Sequence, residues 1–350
     1  MGLGAIVVVG AELESIGSTV PQEIDPLILE PLACIDVLGR SMLERTIERL
    51  ARAGVEVISV LVPLEKAHTV PLISTSFENV SIQVVAEMNL AVTQKLRDFS
   101  RDGVEHTFLM SASLYTETDL LDLFYFHREA RQNATRALDS ESPLSLWVVE
   151  TAKTNAQLED LLAPGTASYF IRDYVIHLKE ARDLRRLVGD SLRGRCAMRP
   201  SGAEQKPGIW VDEGAEIHRR ARVVAPAYIG REAKVMEDTL ITRCSNIERG
   251  CCIDYGTVIE DSSVLANTHI GIWLDVCHSV ASGNKLMNLT RNVTLEIADR
   301  SVMRTNASGR DESRVNSFDF YETQAGNSDL NNAGQKIEPR TPKAWQFGAN

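Results

Sequence analysis

Three histidines, His218, His269 and His278, lie in or beside a C-terminal region whose hydrophobic pattern repeats every six residues. Imidazole titrates near neutral pH, so each could serve as a general base toward an acceptor group. On the flank of a repeat structure, however, the expected state of a histidine is a solvated one. His269 and His278 stand apart because the repeat slips phase around them, in HIGIWLDVCHSV. His127, among the aromatics of FYFHREARQ, reads as packing. The arginine-rich RDLRRLVGDSLRGR (182–195) reads as a solvated helix. The cysteines, Cys34, Cys196, Cys244, Cys251, Cys252 and Cys277, show no CxxC and no regular spacing. They are expected to be reduced thiols rather than a metal or disulfide framework.

The element that carries these histidines is set by a column of branched aliphatics. Val211, Ile217, Val223, Ile229, Val235, Ile241, Ile247, Ile253, Ile259 and Leu265 keep one phase. A small residue stands two positions before nearly all of them, from Ala215 and Ala221 to Cys251, Thr257 and Ser263. Helices repeat at 3.6 residues and strands at 2, so neither gives a period of six. A coil of short parallel strands that turns a corner every six residues does. The aliphatic side chains then stack inside a prism, and small residues fit its corners. The expected coil runs over about 208–275, with NVTLEIAD as one more strand.

Residues 1–205 have a different rhythm. GAIVVVG (4–10) is a continuous apolar run, as in a buried parallel strand. Ser41 opens SMLERTIERLARAG, where Glu44 completes a capping box and Gly54 ends the helix. Strands are expected at 55–62, 81–87, 106–112 and 144–150. Helices are expected near 91–101, from Thr116, in NAQLEDLL and in LKEARDLRRLV. Such alternation predicts a Rossmann-like, doubly wound α/β domain. RPSGAEQKPG (199–208) reads as a linker. From about 304 the chain is polar and aperiodic, and a disordered tail is expected over 304–350. The net charge of −11 argues against a nucleic-acid or anionic-membrane partner. The first residues have no basic n-region, and a cytoplasmic location is expected.

Three stretches resemble sugar nucleotidyltransferases, the pyrophosphorylases that join a sugar 1-phosphate to a nucleoside triphosphate; one of them, PAYIGREAKV (226–235), looks like the first coils of that family's C-terminal domain. PLACIDVLGRSMLERTIERLARAGVEVISVLV (31–62) is similar to that family's P-K-x-L-x-P-V-x-G-K-P-M-L segment and the helix after it. FLMSASLYTETDLLDLFYFHREARQNATRAL (108–138) resembles its strand, metal-binding turn and helix. The resemblance implies three parts. They are a nucleotidyltransferase α/β domain over 1–205, a left-handed parallel β-helix over 206–303, and the tail. It also implies a nucleotide or sugar-nucleotide ligand and Mg²⁺ if the protein is active. A homo-oligomer through the β-helix, or a complex with an active homologue, is implied as well.

The family's chemistry needs a Gly-rich loop around the triphosphate, a lysine for phosphate charge and an aspartate for Mg²⁺. In this chain the loop reads VVVGAELESIGS, with Glu12 and Glu14 where a triphosphate would lie. Leu32 stands at the lysine position and Ser113 at the aspartate position. The nucleotide-binding candidates are Val9, Gly10, Ala112 and Ser113. Asp212, in the G-x-W-x-D-x-G of Gly208–Gly214, is the candidate metal ligand. The reading that follows is a catalytically impaired homologue with a regulatory or scaffolding role in sugar-nucleotide or polysaccharide metabolism. Two alternatives stand beside it. One is an active enzyme with a rearranged site using Asp36, Asp119 or Asp212. The other is a hexapeptide acyltransferase with His269 or His278 as base.

Overall fold

The computed structural model describes residues 2–10, 31–67, 79–140, 142–153 and 167–306. The chain starts with strand β1 (Gly2–Val8). A short hairpin, β2 (Asp36–Val37) and β3 (Arg40–Ser41), leads into helix α1 (Met42–Arg52). Then come β4 (Val57–Pro63), β5 (Val80–Val85), α2 (Met88–Arg101), β6 (Val104–Ser111) and β7 (Leu114–Thr116). Helix α3 (Leu120–Ala130) precedes β8 (Ala134–Leu138) and β9 (Pro143–Glu150). β10 (Ala167–Phe170), β11 (Val175–His177) and helix α4 (Ala181–Leu192) complete this half.

Seven of these strands form one sheet in the order β10-β8-β9-β6-β1-β4-β5. Strands β6, β1, β4 and β5 run parallel, whereas β9 is antiparallel to both neighbours. Period two in β1 divides its side chains between two cores. Ala5 and Val7 join Leu43, Ile47 and Leu50 of α1 and Leu123 of α3. Ile6 and Val8 join Val92, Leu96 and Phe99 of α2 on the other face. Gly4 is where α2 comes closest, since a Cβ there would sit 3.0 Å from the Phe99 ring. At the start of α1, Ser41 and Glu44 form the expected capping box.

The structure corrects several expectations. The helix expected from Thr116 starts at Leu120, because Leu114–Thr116 pair with Val175–His177 as strands. The Asp119 side chain then caps α3 by accepting from Leu121 N. The expected linker contains β12 (Ala203–Lys206), antiparallel to β13 (Ile209–Val211). NAQLEDLL and the tail beyond 306 lie outside the described residues.

From β13 onward, successive strands pass in rotation to three sheets. Val211 pairs in register with Ile229, Ile229 with Ile247, and Ile247 with Val264. The second ladder carries Ile217, Val235, Ile253 and Ile270. The third carries Val223, Ile241, Ile259 and Val276. These side chains fill one apolar cluster. Small polar residues at the corners have a second duty. Thr257 Oγ1 donates to Gly271 O at 2.6 Å, and Ser262 Oγ to Val276 O at 3.1 Å. They satisfy carbonyls that a buried turn would leave unpaired.

The phase slips earlier than the sequence suggested. Val264, not Leu265, follows Ile259 into the inward column. Leu265 instead points out, into a cluster with Tyr228, Leu184, Leu187 and Val188. That cluster joins the coil to α4 and to the β2–β3 hairpin. Residues 279–296 add an antiparallel meander, and Met303–Thr305 pairs with Thr268–Ile270.

Candidate functional site

At the carboxyl edge of the sheet, β1 and β6 are parallel neighbours. Val9 N donates to Leu61 O at 3.0 Å, and Ala112 N donates to Val8 O at 2.8 Å. The four nucleotide-binding candidates therefore converge at the strand ends, where α/β sheets place their ligands. Gly10 has φ +70, and a Cβ there would lie 3.9 Å from Lys66 Cγ. The Lys66 stem thus reaches this turn, although it was not foreseen. Val9 and Ala112 are fully buried. Ser113 N donates to Ser111 Oγ at 3.3 Å, and Ser113 O accepts from Leu178 N at 2.8 Å. Leu32 is 7% exposed and packs in the cluster of Tyr115, Ile176 and Leu184. It is core hydrocarbon, with no group to offer a phosphate. Glu12 and Glu14 lie outside the described residues.

The carboxylates weighed as metal ligands have protein partners. Asp119 caps α3. Asp36 is nearly buried and takes Arg249 Nε at 2.7 Å. Asp212 Oδ2 accepts from the Tyr228 hydroxyl at 3.2 Å, and its Oδ1 from Glu213 N at 2.8 Å. Asp36 and Asp212 both act on buried Tyr228, whose hydroxyl is pushed well above the tyrosine range. Burial is the main cause, followed by Glu248 and Asp212.

Glu248 is the acid that sequence reasoning missed. It is fully buried and accepts from Leu38 N at 2.8 Å, Gly39 N at 3.0 Å and Asn246 Nδ2 at 2.7 Å. Burial, then Asp36, push its carboxyl up to about 7, against the pull of those three donors. Gly39 is required here. Its φ is +88, and a Cβ would meet Tyr228 Oη at 2.3 Å.

Four arginines of one groove, Arg40, Arg45, Arg49 and Arg52, are also committed. Arg40, Arg45, Arg49, Arg52 and Arg199 line a groove with Glu48 and Glu117. Arg45 donates to Val37 O and Leu38 O, and Arg49 to Thr116 O and Thr118 O. Glu48 takes both Arg40 and Arg52. The helix at 181–192 is not wholly solvated, because Arg185 is 7% exposed. Arg185 donates to Cys244 O at 2.9 Å and pairs with Asp261 Oδ1 at 2.6 Å.

The three histidines do not form one site. His218 is exposed, with Nε2 4.0 Å from Glu237. His269 pairs with Asp254 at 3.0 Å on the second ladder, and only 5% of it is exposed. His278 sits at a corner, half exposed, with Asp261 at 2.7 Å. His127 packs as expected, edge-on to His106 and bonded to Thr135. The six cysteines are free thiols.

No family model matches the chain, and no curated protein matches it. Among solved structures it is similar to a putative glucose-1-phosphate thymidylyltransferase from Bacillus anthracis in complex with a sucrose. The match has 12% identity and a TM-score of 0.41, and covers 53% of this chain and 93% of that one. A likeness this distant leaves the functional reading to the residues of the site. The chain is a mixed α/β protein with parallel sheets, and among the described residues no helix is long and apolar enough to cross a membrane.

Proposed function

We propose that the chain is a divergent, catalytically impaired sugar-nucleotidyltransferase homologue that regulates or scaffolds sugar-nucleotide or polysaccharide metabolism. The observation that carries this is the pair of positions Leu32 and Ser113. The first is buried in core hydrocarbon. The second offers one hydroxyl beside backbone groups that are already engaged. Losing one charge-stabilising device costs about 10²–10³-fold in rate, and here two are gone. Mg²⁺ requires several oxygen ligands in octahedral array. With Asp36, Asp119 and Asp212 held by protein partners, the donor set does not fit it. The acyl-transfer reading is weaker, since His269 is sealed from an acceptor and the Asp261 partner of His278 also holds Arg185.

In this reading residues 1–205 are the nucleotidyltransferase-like domain and 206–303 a left-handed β-helix, in a cytoplasmic protein. The rotation of strands among three ladders supports the β-helix. Association with a second copy or an active homologue is supported by apolar side chains left exposed on the coil. These are Val224, Met236, Ile272 and Trp273, the last 68% exposed. In this reading the sensed ligand is a nucleotide or sugar nucleotide bound at the strand-end turns of Gly10 and Ser113. Thermal melts with a panel of nucleoside triphosphates and nucleotide sugars test this. A ligand at a hundred times its Kd adds about 2.7 kcal/mol. A rise in Tm with at least one compound is expected, and a flat panel would remove the sensing role.

A further inference from the structure

We propose that Cys252, Asp254 and His269 form a binding site for a borderline-soft divalent cation of the Zn²⁺ class. The repeat builds the site. Ile253 points into the prism, so Cys252 and Asp254 on either side of it point outward together. His269 is the register partner of Cys252 on the next rung. One ligand atom from each of the three lies within 4.8 Å of the others. The His269 Nε2 to Asp254 Oδ2 distance is 3.0 Å. A tetrahedral site with bonds of about 2.0–2.3 Å sets its ligand atoms about 3.5 Å apart. Small side-chain rotations therefore close the set around an ion.

His269 is itself short of a partner. His269 is almost completely buried, yet its Nδ1 has no hydrogen-bond partner. Buried polar atoms are rarely left so. The imidazole therefore holds a lone pair or a proton that the fold itself does not use. The three-ligand set uses His269 Nε2, 3.0 Å from Asp254 Oδ2, and Asp254 is then a ligand itself. Two neighbouring cations, whose charge still reaches Cys252, have other partners as well. Lys234, before Cys252 in the ladder, leans toward Glu216 at 3.8 Å. Arg304, opposite His269, donates to Arg300 O at 3.1 Å.

The ligand types choose the metal. Thiolate and imidazole suit Zn²⁺ and its first-row neighbours, whereas Mg²⁺ and Ca²⁺ take oxygen sets. On binding, the Cys252 S–H bond breaks, its proton goes to solvent, and the sulfur pair bonds the cation. Without the cation, burial holds this thiol up to about 11, so it is no nucleophile at neutral pH. Three protein ligands leave a fourth position for water. The ion would tie two rungs together next to the closing strand Met303–Thr305. This inference does not depend on the proposed function.

The test uses the full chain, stripped with a chelator and titrated with Co²⁺. One equivalent is expected to bind with tetrahedral visible bands and a thiolate-to-cobalt charge-transfer band, all displaced by Zn²⁺. Cys252→Ser should lose the charge-transfer band and bind at least about 100-fold more weakly. Cys277→Ser should keep both. Cys252 is partly exposed on the outer face, so its serine variant keeps the fold, which circular dichroism checks. Absence of the charge-transfer band in the wild type, or its persistence in Cys252→Ser, overturns the site.

Discussion

Glu248→Ala is expected to lower stability by about 3–5 kcal/mol at pH 5, with the deficit narrowing as pH rises to 8. The loss has a specific origin. Three donors, Leu38 N, Gly39 N and Asn246 Nδ2, converge on this carboxyl from segments far apart in sequence. Alanine leaves them buried without an acceptor, at about 1–3 kcal/mol each. The pH dependence follows from linkage. The folded carboxyl titrates at about 7 and the unfolded one at 4.5. Between these values the native state holds a proton that the unfolded state has released. Stability from this group is therefore complete below 4.5 and is lost as pH rises through 7. The shift corresponds to about 3 kcal/mol. Urea melts of wild type and variant from pH 4.5 to 8 read both effects. A deficit that stays constant with pH would show that Glu248 does not titrate in this window.

Arg185→Met should cost a further about 3–5 kcal/mol, by a different route. The guanidinium leaves α4 and enters the coil, where it serves Arg243 O, Cys244 O and the Asp261 backbone and side chain. Methionine keeps the apolar stem but leaves three carbonyls and a carboxylate without their donor. Asp261 reports the change. Burial alone would raise its carboxyl, but His278 and Arg185 outweigh that and hold it below the usual range. Its contribution is present above the unfolded value and is lost as pH falls through the folded one. In the variant the Asp261 resonance should titrate at higher pH, with His278 as its remaining partner. A variant as stable as wild type would mean that the coil and α4 are held by the apolar cluster around Leu265 alone.

These two residues show where sequence reading ends. The inward column is legible from Val211 to Ile259 because the coil is local. Each side chain's neighbours lie one turn away, at a fixed spacing. The slip at Val264 was misplaced because Val264 and Leu265 are both aliphatic, and composition cannot say which turns inward. Glu248 and Arg185 resemble ordinary surface residues in their own segments. Their burial comes from the β2–β3 hairpin and from α4, which pack on the coil from distant parts of the chain. The Cys252–His269 pairing had a signal that composition alone obscured. The two are register partners one turn apart, whereas spacing rules for zinc sites look for CxxC. At the strand ends, Gly10 and Ser113 follow β1 and β6, which are adjacent parallel strands. Lys66 near Gly10 was missed, because it comes from the far end of β4.

The proposed function is one of association and sensing rather than turnover. Pyrophosphate release with Mg²⁺ tests it most directly, measured over all common nucleoside triphosphates against a set of sugar 1-phosphates. The account predicts no release above the protein-free control for any pair. Release that follows the protein across its elution peak, with any pair, would contradict it and require a rearranged catalytic site.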